Sequence, residues 1–258
     1  GKVTVTGNES ETQKTQEEAE IVILWEQIKS SSYRVGNVTF YQDRLKELVD
    51  AIANTNAKYT LIGYSGSSNQ AAKVLFQSKS ANEVKSAIDS ASFLNNLTDS
   101  RSAMPYAYQL ALQQFETSKA KQKYLLQLTE YPIYNSDKVE KTLISNGRAT
   151  MDSMKQLGVT PYLLVARDPA KNRSRYLDPY AGGISFGTLF SQDNIKVAWK
   201  DETATTLVSP PYSDNNYLNQ IQSIGAAIKQ QTPESVLTVV NKVSGKFRIK
   251  KIDEAKKG

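Results

Sequence analysis

Four short apolar runs are spaced along the chain with helical stripes between them, and this alternation restricts the fold more than any other feature. The runs are Ile21-Val22-Ile23-Leu24-Trp25, Tyr59-Thr60-Leu61-Ile62-Gly63-Tyr64, Tyr124-Leu125-Leu126-Gln127-Leu128 and Tyr162-Leu163-Leu164-Val165-Ala166. Continuous apolar runs of this length suit strands buried on both faces. Between them, Tyr41, Leu45, Leu48, Val49 and Ile52 recur on one helical face, as do Met104, Ala107, Tyr108, Ala111, Leu112 and Phe115, with Pro105 in the first turn. Val139, Leu143, Met151, Met154 and Leu157 form a third stripe, which Gly158 can cap, and Tyr217, Ile221, Ile224 and Ile228 form a last one. Strands alternating with amphipathic helices predict an α/β fold: a central, mostly parallel sheet with helices on both faces.

One strand breaks the parallel rule. The turn-forming cluster Ser65-Gly66-Ser67-Ser68-Asn69 predicts that Lys73 to Gln77 returns as an antiparallel edge strand. Ser80-Ala81-Asn82-Glu83 then reads as a capping box opening a short helix. The domain division follows: residues 1–19 a structureless acidic tail, 20–231 one α/β domain with an irregular insertion at 167–200, and 232–258 a basic extension. Thr205 to Val208 reads as a last strand, Val236, Val239, Val240 and Val243 as one face of a short extra helix, and Phe247 to Lys250 as a strand.

The 258 residues include no cysteine and no histidine. Disulfides, thiolate metal sites, Ser-His-Asp triads and Cys-His dyads are therefore excluded. Oxygen-ligand metal chemistry, carboxylate or lysine catalysis, and binding without catalysis remain. Lack of cysteine suits the cytosol and also extracellular domains large enough to stand without bridges. No apolar run is long enough to span a membrane. Net charge is +6 and uneven: residues 1–20 carry −3, two lysines against five glutamates, and residues 242–258 carry +5, seven basic residues against two acidic ones. A basic end can meet nucleic acid, anionic lipid or acidic glycans, but no nucleic-acid motif accompanies it, and no nucleic-acid partner is expected.

In order and spacing, residues 20–230 resemble a von Willebrand factor type A (vWA) domain. Glu20 to Trp25 resembles its central first strand and Tyr59 to Ser65 the strand that enters the hairpin. Glu83 to Phe115, with Leu97-Thr98-Asp99 in its middle, resembles the helix, site loop and long helix that follow. Tyr124 to Glu130 and Val159 to Ala166 resemble the fourth and fifth strands. The resemblance implies a Rossmann-like vWA domain with a metal-ion-dependent adhesion site at the C-terminal ends of the strands. That site takes Asp-x-Ser-x-Ser after the first strand, a threonine in a later loop and an aspartate after the fourth strand, and the partner's acidic group completes a Mg²⁺ octahedron.

Carried over position by position, the resemblance puts Glu26 in place of the first aspartate, Ile28 in place of the first serine, Ser30 at the second serine, Thr98 at the threonine and Glu130 in place of the last aspartate. Ile28 offers no oxygen, Lys29 sets a positive charge beside the cation, and each glutamate adds a methylene that Mg²⁺ tolerates badly. The expectation is a degenerate site: Glu26, Ser30, Thr98 and Glu130 still converge to contact a ligand, with Mg²⁺ weak or absent. The polar remnants could bond one another or water, or Lys29 could neutralise a glutamate in the cation's place. Tyr131 and Tyr134 follow Glu130 and would rim this face, where tyrosine gives large contact area at low entropic cost.

Three further patterns weigh less. Gly63-Tyr64-Ser65-Gly66-Ser67 is similar to a nucleophile elbow but ends in serine, with no histidine to act as base. Gly182-Gly183-Ile184-Ser185-Phe186-Gly187 lacks the lysine of a phosphate loop. Asn8, Asn37, Asn96 and Asn172 begin glycosylation acceptor triplets, but 16 asparagines and 45 serines plus threonines give about three by chance. The functional expectation is a non-enzymatic, extracellular glycoprotein in adhesion or matrix assembly that engages a protein ligand; the alternative is an intracellular scaffold subunit.

Overall fold

A computed structural model gives the fold. It describes residues 11–16, 18–27, 38–53, 55–65, 72–91, 103–129, 141–165, 190–197, 217–232, 234–239, 242–243 and 246–247. In chain order the elements are β1 (Glu11–Gln16), β2 (Ala19–Glu26), α1 (Val38–Ile52), β3 (Ala57–Tyr64), β4 (Ala72–Ser78), α2 (Ala81–Ser90), α3 (Met104–Glu116), β5 (Gln122–Thr129), α4 (Lys141–Gln156), β6 (Val159–Val165), β7 (Ile195–Val197), α5 (Tyr217–Gln231), β8 (Glu234–Val239), β9 (Lys242–Val243) and β10 (Lys246–Phe247).

Six strands form the main sheet in the order β4-β3-β2-β5-β6-β7. All neighbouring pairs are parallel except β3–β4, so β4 is the antiparallel edge the hairpin signal predicts. The four apolar runs are its four interior strands. Strand β2 is buried along its whole length, because parallel neighbours flank it and helices cover both faces.

Alternation along the strands makes two cores. Ile21, Ile23 and Trp25 pack with Leu61, Leu126 and Leu164 under α1, α2 and α5. Val22 and Leu24 pack with Ile62, Leu125 and Leu163 under α3 and α4. Each such aliphatic side chain, once fully buried, contributes about 1.5–3 kcal/mol.

Helix punctuation follows the sequence closely. Ser80 Oγ accepts from the Glu83 amide at 3.3 Å, and Pro105 sits in the first turn of α3. The reciprocal half of the capping box is relayed: the Glu83 carboxylate takes the Ser78 hydroxyl, and Ser78 Oγ accepts the Ser80 amide at 3.0 Å. Gly158, at φ +82°, follows α4 in the left-handed conformation that a helix C-cap requires.

Three expectations are corrected. Glu11–Gln16, expected within a structureless tail, is a strand paired antiparallel with β8, from Glu11 opposite Val239 to Gln16 opposite Glu234. The helix expected around Val236 and Val239 is that partner strand, β8, which suits its β-branched residues. Ile195–Val197, expected inside an irregular insertion, is the sixth strand, parallel to β6. The expected strand at 205–208 lies outside the described residues. Phe247 belongs to a short strand, β10, paired with β9. Among the described residues no helix is long and apolar enough to cross a membrane.

Candidate functional site

Parallel strands bring their C-terminal ends to one edge, the usual ligand crevice of open α/β sheets. At that edge the last residue of β2, Glu26, stands in one register row with Tyr64 of β3. Thr129 of β5 stands on its other side, one step beyond the Trp25–Leu128 pair. These side chains point to the α3–α4 face, as do Val22, Leu24 and Ile62 below them.

Glu26 is 4% exposed, a carboxylate taken almost wholly out of water. Such a group requires hydrogen-bond donors. The Thr129 hydroxyl donates to Glu26 Oε2, and the Tyr64 hydroxyl reaches the same atom at 3.5 Å. Tyr64 Oη accepts from Gln127 Nε2 at 2.9 Å, and Gln127 Oε1 accepts from the Tyr108 hydroxyl of α3 at 2.7 Å. Donation therefore runs in one direction, Tyr108 to Gln127 to Tyr64 to Glu26. Each bond polarises the next toward the carboxylate.

Burial holds the Tyr64 hydroxyl well above its ordinary pKa, and the neighbouring Glu26 and Tyr108 push it further the same way. Tyr108 is raised for the same leading reason. Both phenols thus stay protonated, as donors must. Beside Glu26, Gln27 is fully buried with its backbone N–H donating to the Tyr64 carbonyl at 2.9 Å, and Ser65 is fully buried too.

Of the residues expected at the site, Glu26 is at the C-terminal edge. Thr129, immediately before Glu130 in the chain, is its hydrogen-bond partner, so the ends of the first and fourth family strands do meet. Ser30, Thr98, Glu130, Tyr131 and Tyr134 lie outside the described residues.

Sequence reasoning missed Thr129, Tyr64, Gln127 and Tyr108. Gln127 carried a legible signal, an amide inside a run of leucines on a strand buried on both faces. Tyr108 read as packing because its helical stripe accounts for the ring without its hydroxyl.

Of the expected Mg²⁺ set the described residues include Glu26 alone, and its Oε2 accepts from the Thr129 hydroxyl and, at 3.5 Å, from the Tyr64 hydroxyl. No group of three or more carboxylates among the described residues could hold a metal.

No protein-family model matches the chain, and no curated protein does. Solved structures do. Proximal thread matrix protein 1 from the mussel byssus, in a crystal with a zinc-occupied MIDAS motif, superposes with a TM-score of 0.52 at 13% identity, over 91% of this chain and 50% of that one. A second crystal of that protein gives 0.50 at 12% identity, over 91% of this chain and 51% of that one. A point mutant of the PilB minor pilin from Streptococcus sanguinis gives 0.50 at 13% identity, over 84% and 61%. The chain spans about half the length of the mussel protein structures it matches. Strand order, the antiparallel edge, helices on both faces and these superpositions together establish that the chain has the von Willebrand factor type A fold.

Proposed function

We propose that this is a non-enzymatic binding domain that engages a protein ligand at the C-terminal edge of its sheet without needing a bound divalent cation. The observation that carries the reading is the inward clamp on Glu26, whose Oε2 is held by Thr129 and Tyr64. In a cation-dependent adhesion site the first carboxylate serves the metal; here the protein's own hydroxyls serve that carboxylate. Ser30, Thr98 and Glu130 would complete the contact surface, with Tyr131 and Tyr134 at its rim. The absence of histidine and cysteine removes the commonest catalytic bases and nucleophiles, which supports binding over turnover.

The same fold in a mussel thread matrix protein supports an extracellular role in adhesion or matrix assembly. One observation favours a second reading, an intracellular scaffold subunit: 258 residues without a single cysteine suit a reducing compartment as well.

Titration calorimetry of chelator-stripped protein with Mg²⁺ and Mn²⁺ tests the leading reading. The expected result is no saturable heat, and partner capture from extracellular-matrix extracts that is equal in EDTA and in Mg²⁺. A site of micromolar affinity that vanishes in Glu26→Ala would overturn it and make the domain a cation-dependent one. Capture confined to cytosolic extracts would favour the scaffold reading.

A further inference from the structure

The opposite edge of the sheet, where the parallel strands begin, gathers positive charge from separate parts of the chain. Helix α3 ends there and turns into β5 through Thr117-Ser118-Lys119-Ala120-Lys121-Gln122-Lys123, a stretch with three lysines and no acid. Helix α4 ends there with Lys155 in its last turn, before β6. Strand β3 starts there with Lys58 in register with Glu20 of β2, and Glu20 is in register with Lys123 of β5. Lys58 and Lys123 thus flank Glu20 in one row, two strand spacings or about 10 Å apart.

The acids at this edge are already engaged or outnumbered. Glu20 is 4% exposed and accepts from Gln114 Nε2 at 2.8 Å and Ser118 Oγ at 3.2 Å. Glu18 is paired with Lys79 at 2.9 Å. Exposed Glu116 and Asp152 remain, against exposed Lys119, Lys121 and Lys155 and half-buried Lys58 and Lys123. Lys119 and Lys155 make no ion pair with another described residue. Lysine in the last turn of α4 offsets the helix dipole and Lys123 Nζ donates to the Ala120 carbonyl at 2.6 Å, but neither role accounts for exposed Lys119.

None of the lysines named here belongs to the basic segment 242–258, which follows β8, the strand paired with β1.

We propose that this edge is a second interaction surface, opposite the candidate ligand site, and that it takes a linear sulfated polysaccharide. A polyanion matches a row of lysines that have few acidic neighbours. Two features choose the glycan over other polyanions. The described aromatic rings nearest the edge, Tyr59 and Tyr124, are buried in the core, so the described residues present no stacking platform for nucleic-acid bases there. Leu157 stands alone as the exposed large apolar residue of the α4–β6 turn, too little for a membrane-inserting wedge.

The test is binding of a heparin-derived octasaccharide to the full chain by surface plasmon resonance. Single-stranded DNA of equal charge and vesicles of phosphatidylserine in phosphatidylcholine serve as comparison arms. The expected result is saturable octasaccharide binding that weakens steeply with salt, tighter than DNA or vesicles. The triple variant Lys119→Gln, Lys121→Gln, Lys155→Gln should lower octasaccharide affinity about tenfold or more with an unchanged circular dichroism spectrum. Removal of residues 242–258 should leave most of the affinity. Undiminished binding by a folded triple variant would overturn the proposal, as would loss confined to the tail deletion, or DNA or vesicles binding as tightly as the glycan. If the triple variant does not fold, single variants at exposed Lys119 and Lys155 decide in the same way, each expected to weaken binding about two- to threefold.

Discussion

The Tyr108 hydroxyl donates to Gln127 Oε1 at 2.7 Å, and this bond joins α3 to the centre of the sheet. Both side chains are fully buried, so neither can fall back on water. Tyr108→Phe keeps the ring and its packing but leaves the Gln127 carbonyl without that donor. A loss of about 1–3 kcal/mol in stability is expected. Tyr108→Phe combined with Gln127→Leu should cost less than the sum of the single changes, because both ends of the bond are then removed. Urea melts of the wild type, the two single variants and the double variant measure this.

At the site itself, the clamp on Glu26 predicts strong coupling with Thr129. Thr129→Val removes the hydroxyl from a carboxylate that is only 4% exposed and should cost about 1–3 kcal/mol. In a background where Glu26 is already Gln, the same change should cost distinctly less, since no buried charge then loses its donor. A double-mutant cycle expects a coupling energy of about 0.5–3 kcal/mol. A coupling near zero would mean that the hydroxyl does not hold the carboxylate in solution.

The main sheet was legible in sequence because its interior strands are buried on both faces and therefore written as unbroken apolar runs. Ile195–Val197 was not: three residues give no periodicity, and the strand exists because β6 offers it an edge. Glu11–Gln16 is polar throughout, and its strand conformation depends on pairing with residues more than 200 positions away. Val236 and Val239 fit a helical spacing as well as a strand, and six residues are too few for periodicity to separate the two. At the site, Glu26 was found through its place after the first strand. Thr129 and Tyr64 were not, because threonine and tyrosine are ordinary strand residues until a buried acid lies between them.

Stability should depend on alkaline pH through the buried phenols. Burial chiefly raises Tyr64 and Tyr108 above the ordinary tyrosine value near 10. A raised folded pKa means that stability from these groups is complete below pH 10. Above it the unfolded chain releases protons that the folded chain keeps. Unfolding free energy should therefore fall as pH rises past 10, by up to about 1.4 kcal/mol per pH unit for each of these tyrosines. Urea melts between pH 8 and 11.5 measure the slope. Tyr108→Phe should reduce it by about one tyrosine's share, and an unchanged slope would show that Tyr108 is not protected from ionisation.

The sharpest packing prediction lies at the crossing of α1 and α5. Gly225 is buried in the middle of α5, where a helix would ordinarily prefer alanine by about 1 kcal/mol. A Cβ at this position would stand 2.2 Å from the Ala51 carbonyl oxygen and 2.7 Å from its carbon. These are backbone atoms of α1, which cannot rotate away as a side chain can. Gly225→Ala must therefore push α5 off α1 and loosen Ile221, Ile224 and Ile228 from the core they share with Leu45 and Leu48. The gain in helix propensity is smaller than this overpacking, and a net loss of about 1–3 kcal/mol is expected. Ala51→Gly should not rescue it, because the clash is with the carbonyl rather than the methyl group. Thermal and urea melts of both variants test this. A Gly225→Ala protein as stable as the wild type would mean that α5 does not cross α1 at this close distance.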